Sequence, residues 1–134
     1  MDKIEEMLAN SRSIAVLGMK EDGSEVSHKV TFYMKEHGYT IYPVNPTRAG
    51  KAVLGTTFYE SLLDIKDGID LVDIFRRPEF LVEHAKEILK MDPLPKYVWF
   101  QLGIYNDEAA KMLEKAGIKV VQNRCIMVEH ARLF

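Results

Sequence analysis

Five short apolar runs punctuate the chain: SIAVLG (Ser13–Gly18), YTIYPV (Tyr39–Val44), DLVDIF (Asp70–Phe75), KYVWFQ (Lys96–Gln101) and IKVVQ (Ile118–Gln122). Each is rich in β-branched or aromatic residues and too short for a typical helix, so the pattern predicts five strands. Pro43 lacks a ladder donor and is expected at the end of its strand. Between the runs the apolar spacing changes to the helical period. Val26, Val30, Tyr33, Met34 and His37 mark one face of a helix, closed by Gly38 in the C′ position. Leu81, Val82, Ala85, Ile88 and Leu89 mark a second, with Pro78 near its first turn. Ala109, Met112, Leu113 and Ala116 mark a third. Asn106 is its expected N-cap, Asp107 and Glu108 suit its first turn, and Gly117 ends it. A shorter helix is expected over Tyr59–Ile65 and an opening one over Asp2–Ala9.

Alternating strand and helix predicts an α/β fold, a Rossmann-like doubly wound parallel sheet of five strands with helices on both faces. Right-handed crossovers favour the order 3-2-1-4-5. The 134 residues fit one domain, residues 1–134. In such sheets ligands bind beyond the carboxyl ends of the strands, here at the switch between strands one and four.

Composition narrows the classes of function. With 18 basic and 20 acidic residues the net charge is −2, which excludes a general polycation for nucleic acid or membrane surfaces. The single cysteine, Cys125, excludes an internal disulfide and any multi-cysteine zinc or iron–sulfur site. No run approaches the roughly 20 apolar residues of a membrane span, and the opening MDKIEEML is too acidic for a signal peptide. The expectation is a soluble, cytoplasmic protein.

The charges are unevenly placed. Loops following the predicted strands (Gly18–His28, Asn45–Lys51, Phe75–Pro78, Gln101–Asn106 and Asn123–Cys125) hold Arg48, Arg76, Arg77 and Arg124, four of the six arginines. Lys20 and Lys51 lie there too. Arginine offers phosphate a planar, bidentate donor fork, so this edge points to a phosphorylated ligand. The alternative is ordinary loop solvation and surface ion pairing. The first loop, GMKEDGSEVSHK, lacks the G-x-G-x-x-G spacing of dinucleotide sites, although amides around Met19–Lys20 and Ser24–Ser27 could cradle a diphosphate. The second strand ends in PVNP, with no acid to hold a ribose diol; Asn45 could contact an adenosine edge, and Arg48 or Lys51 an additional phosphate. These features weaken NAD and leave NADP, coenzyme A (CoA) or a nucleotide open. Gly18 and Gly23 also suit turns alone.

No H-E-x-x-H, P-loop or G-x-S-x-G occurs, and His28, His37, His84 and His130 are scattered, so neither a metal site nor a catalytic residue is assigned. His37 and His84 read as helix-surface or packing residues, and Trp99 and Phe100 as core. Asp73 and Glu79 flank FRR and read first as ion-pair partners of the arginines, second as an acid–base pair. Cys125 follows the last strand beside Arg124, a setting that suits the thiolate form that attacks disulfides; the plain alternative is a small buried hydrophobe.

A wider resemblance adds to this. IAVLGM (Ile14–Met19), GYTIYPVNP (Gly38–Pro46), YESL (Tyr59–Leu62), DLVDIFRRPE (Asp70–Glu79), VWFQLGIYNDEAA (Val98–Ala110) and VVQNRCIMVEH (Val120–His130) run in order over nearly the whole chain. In these blocks it resembles the stand-alone CoA-binding proteins, a single-domain Rossmann-like family similar to the CoA-binding domain of the succinyl-CoA synthetase alpha subunit. The resemblance implies CoA or an acyl-CoA at the strand ends, with its nucleotide near the first two loops. Matching positions are Gly18, Met19, Val44, Asn45, Pro46, Phe75, Arg76 and Arg77, with Gln101, Leu102 and Gly103 as the facing wall. The first loop departs from the family's usual serine- or proline-containing pattern with an arginine, which makes Lys20, Ser27, His28 and Lys29 the candidates for diphosphate contacts. The implied function is non-catalytic CoA binding: a carrier, a sensor, or thiol protection through a reversible Cys125–CoA disulfide. An NADP-dependent or CoA-transfer enzyme component and a ligand-free interaction module are the alternatives. Exposed sheet edges admit a homodimer, and a separately encoded partner subunit is compatible with the pattern.

Overall fold

In the computed structural model, which describes residues 2–134, each of the five apolar runs is a strand. The strands are β1 (Ser13–Leu17), β2 (Thr40–Val44), a short hairpin of β3 (Ala52–Val53) and β4 (Thr56–Thr57), then β5 (Leu71–Ile74), β6 (Tyr97–Phe100) and β7 (Lys119–Val121). The helices are α1 (Lys3–Ala9), α2 (Val26–Glu36), α3 (Leu81–Ile88), α4 (Asp107–Lys115) and α5 (Ile126–Leu133). Side-chain caps start two of them: Asn106 accepts from the Ala109 amide, as the sequence predicts, and Asp2, expected as the first helical residue, instead caps α1 by accepting from the Glu5 amide.

The main sheet is parallel throughout, in the order β2-β1-β5-β6-β7. This is the expected five-stranded, doubly wound parallel sheet; numbered over its five strands alone the order reads 2-1-3-4-5, which differs in numbering from 3-2-1-4-5 since Leu71–Ile74 pairs with β1. The position outside β2, which the expected order gives to a third strand, holds only a parallel bridge between Val44 and Tyr59. With that rudiment counted as the third position, the order reads 3-2-1-4-5-6. Burial explains the placement. All four residues of β5 are buried, as a strand covered on both faces must be, whereas β2 begins exposed.

Pro43 sits inside β2, not at its end. Its missing donor is tolerated because β2 lies at the margin; its carbonyl, turned outward, accepts from the Tyr59 amide at 2.9 Å. The helix expected over Tyr59–Ile65 reduces to one 3-10 turn at Leu62–Asp64, capped by Ser61, since Tyr59 is engaged in this bridge. Helix α5 and the β3–β4 hairpin are elements that apolar spacing did not announce. The buried residues of α5 are Ile126, Glu129 and His130, so much of its inner face is polar.

The sheet separates two apolar layers. Leu81, Ala85 and Ile88 of α3 with Ala109, Ala110 and Leu113 of α4 cover one face. Met7 and Leu8 of α1, Val30 and Met34 of α2, and Ile126 of α5 cover the other. Trp99 and Phe100 are buried in opposite layers, as core residues. At the amino edge, Asp70 accepts from the amides of Arg12 and Ser13 and ties the start of β1 to β5. None of the helices in the described residues is long and apolar enough to cross a membrane.

One carboxyl lies inside the sheet. Asp73 of β5 is 1% exposed and accepts from Gln101 Nε2 at 2.7 Å; it pairs with no arginine, contrary to expectation. Its place in the middle of a buried strand keeps it away from the loop that carries Arg76 and Arg77. Burial pushes it up to about 7, with the Gln101 hydrogen bond opposing. Because the unfolded chain ionises this group near pH 4 and the fold resists doing so, its share of stability is present below that pH. It is lost as the pH rises to about 7. Asp73→Asn should therefore match the parent near pH 4 and exceed it by on the order of a few kcal/mol above pH 7. Denaturant unfolding across this range measures the difference; an equal gain at both ends would contradict it.

Candidate functional site

The chain after β1 turns to α2 on one face of the sheet, and the chain after the neighbouring β5 turns to α3 on the other. A crevice opens where they part. Gly18 lies at its floor. Its amide donates to Val44 O at 2.9 Å, and its φ of +85° belongs to the left-handed region. A Cβ built there would lie 2.3 Å from Phe75 O and 2.8 Å from Arg76 Cδ. Glycine is thus required for two reasons at once, a positive φ and the close passage of the first loop beneath the third.

The crevice has two lobes that share Phe75, Arg76 and Arg77. One, of about 590 Å³, is further lined by Gly18, Lys20, Asn45, Pro46, Thr47, Arg48 and Phe80. The other, of about 560 Å³, is more apolar and is further lined by Val26, Pro78, Gln101, Leu102, Ile104 and Cys125. Asn45, buried at the end of β2, braces the polar lobe: Nδ2 donates to Met19 O at 2.9 Å, while Oδ1 accepts from the amide and hydroxyl of Thr47. Outside the lobe's lining, the buried Trp99 donates from Nε1 to Arg124 O at 2.7 Å. That bond pins the segment leading to Cys125, the half-buried N-cap residue of α5.

Six of the residues picked from sequence line neither lobe. Met19 and Val44 are core. Ser27 is buried and accepts the Lys20 amide on its hydroxyl, holding the first loop to α2. His28 packs beside Gly23, and Lys29 is exposed along α2. Gly103 donates its amide to Asn123 Oδ1 at 2.7 Å. Conversely, Val26, Thr47, Pro78, Phe80 and Ile104 join the lining without having been singled out. Val26 was expected on the buried face of its helix but is 65% exposed at the rim. Pro78 and Phe80 follow FRR directly in sequence and were the most accessible of these to reasoning.

The arginine cluster divides on inspection. Arg124 lines a separate surface hollow beside α1 and lies 4.0 Å from Glu129. Arg48 pairs with Glu21 at 2.9 Å and Lys20 with Glu25 at 3.7 Å, so ordinary loop ion pairing accounts for both. Arg76 and Arg77 have no carboxylate within ion-pair distance among the described residues, and Glu79 does not serve as one. These two unneutralised cations stand at the wall common to both lobes. The arrangement suits a molecule with an anionic head and an apolar arm: the head against the guanidinium groups, the arm reaching toward Cys125.

A profile described as the CoA binding domain matches residues 12–131. The chain belongs to this CoA-binding family. It is 41% identical over 129 residues to the uncharacterized protein YneT of Bacillus subtilis, covering 96% of this chain and 93% of that one. The solved structure of cell-free ID.343 from Thermus thermophilus superposes with a TM-score of 0.94 at 43% identity, over the full length of both chains. Acetate–CoA ligase (ADP-forming) of Methanocaldococcus jannaschii is 23% identical over 128 residues, which cover 91% of this chain and 18% of the ligase.

The floor of the crevice is testable without ligand. Gly18→Ala and Gly38→Ala both place a side chain at positive φ, but Gly38 has nothing within 4 Å of an added Cβ. Gly38→Ala should cost about 1 kcal/mol, and Gly18→Ala about 1–3 kcal/mol more for displacing the Phe75–Arg76 backbone. Equal losses in urea unfolding would show that the contact between the two loops is unimportant.

Proposed function

We propose that this protein binds CoA or an acyl-CoA across the two lobes and acts as a non-catalytic carrier, sensor or protector of the CoA thiol in the cytoplasm. The observation that carries the reading is the pair of unneutralised arginines, Arg76 and Arg77, at the wall between a polar and a more apolar lobe. CoA has the matching order of parts: phosphates, then a flexible arm, then a thiol. Gly18, where a Cβ would strike Phe75 O, keeps the first loop packed against the segment that carries the two arginines. Among the residues lining the lobes, the titratable side chains are Lys20, Arg48, Arg76, Arg77 and Cys125. They supply cations and one thiol, and no paired acid and base. Such a lining favours binding over general acid–base chemistry. Family membership and the ligase relative support the same class of ligand.

A thermal-shift panel of CoA, acetyl-CoA, dephospho-CoA, NADH, NADPH and ATP tests the reading. A ligand at 100 times its Kd stabilises the fold by about 2.7 kcal/mol. CoA or acetyl-CoA should raise the midpoint well above NADPH. NADPH leading would favour the oxidoreductase alternative, and no response to any of them would favour an interaction module.

Cys125 extends the proposal to reversible thiol protection. Its thiolate attacks one sulfur of CoA disulfide; that S–S bond breaks, one CoA thiolate leaves, and a Cys125–CoA disulfide forms. The oxidant is CoA disulfide itself. Intact mass after exposure to CoA disulfide should show one CoA adduct, removed by dithiothreitol and absent in Cys125→Ser. An unmodified parent protein would refute the thiol step and leave the binding proposal to the panel.

A further inference from the structure

Arg76 is held in place by two uncharged neighbours from the following segment. Its Nε donates to His84 Nε2 at 3.3 Å, and its guanidinium carbon lies 5.5 Å from the centroid of the Phe80 ring. The guanidinium has further N–H groups at Nη1 and Nη2, and these have no protein acceptor among the described residues. Arg76 lines both lobes, Phe80 lines the polar one, and His84 stands behind them, half-buried on α3.

The choice of a histidine here has a chemical consequence. To accept from Nε, the ring must be neutral with its proton on Nδ1. The surroundings keep it so: burial, then the charge of Arg76, push His84 down to about 4, against the opposing effect of Glu83. A carboxylate at the same place would grip the guanidinium more strongly but would cancel its charge. A neutral acceptor fixes the direction and leaves the charge whole. Phe80 supports the planar cation through its ring and likewise brings no counter-charge.

We propose that His84 is a positioning residue of the crevice, aiming the undischarged Arg76 at the phosphate groups of the ligand, with Phe80 as the supporting aromatic surface. The inference rests on the phosphorylated-ligand reading above and names a residue, outside the lobes' lining but bonded to it through Arg76, that governs its strength.

The test compares three ligands: CoA, ADP as the diphosphate without the arm, and pantetheine as the arm without phosphates. His84→Leu should weaken CoA and ADP about tenfold, the scale of one hydrogen bond to a charged group, and leave pantetheine unchanged. His84→Gln, whose amide oxygen can accept from Nε, should return to within about twofold of the parent. His84→Glu should fall below His84→Gln although it also accepts, because it discharges the arginine. Parent-like CoA and ADP binding by His84→Leu, or an equal loss of pantetheine, overturns the proposal.

Titration of the His84 ring by NMR in the ligand-free protein separates the two levels of inference. A midpoint near 4 that rises in Arg76→Ala supports the pairing, and a midpoint insensitive to Arg76→Ala overturns it. A parent protein that binds neither CoA nor ADP while keeping this titration removes the ligand reading, and with it the positioning role, although the pairing itself stands.

Discussion

The backbone of Gly18 passes beneath the carbonyl of Phe75 with no room for a methyl group between them. This contact joins the ends of the two central strands at the point where their chains part to opposite faces. If the first loop were lifted by a side chain, the third loop would move with it. The polar lobe lined by Gly18, Lys20 and Arg48 would then lose its alignment with Phe75, Arg76 and Arg77. The hydrogen bond from Phe75 N to Leu17 O and that from Gly18 N to Val44 O lock three strand ends in one plane. The crevice is a consequence of that lock.

Charge becomes informative only within this geometry. A net charge of −2 conceals a division between cations that are already neutralised and cations that are not. Arg48 and Lys20 find glutamates in the first loop, and Arg132 finds Glu129 on its own helix. Arg76 instead meets an imidazole and a phenyl ring, so its field extends into the crevice. The buried carboxyl of Asp73 could have cancelled one of these charges but faces Gln101 inside the sheet. An arginine left uncancelled beside an apolar lobe is a strong reason to expect an anionic, amphipathic ligand.

Parts of this were legible in the residues. β-branched runs marked all five strands of the main sheet, and Asn106 announced its helix, because both signals depend on near neighbours in the chain. FRR stood out as arginine at a strand end. Helix α5 escaped because Glu129 and His130 occupy buried positions that apolar periodicity cannot flag. Pro43 pointed to a strand end but sits within β2 at the sheet margin, and the placement of β5 next to β1 depended on which strand is covered on both faces. His84 looked like a surface or packing histidine, since nothing in its local sequence shows a guanidinium eight residues earlier turning toward it.

By itself the sequence determined the alternation of strand and helix, the parallel sheet that follows from it, and the edge at which the cationic residues gather. These are set by covalent spacing: side-chain period, turn residues and caps act within a few residues. Only the tertiary structure decided that Arg124 faces away, that Arg48 is paired, that Arg76 and Arg77 are not, and that Cys125 lies in the same lobe as both. Those outcomes turn on distances between residues tens of positions apart. Coulombic and hydrogen-bond partners are chosen by proximity in space, which the chain acquires when the two loops close over Gly18.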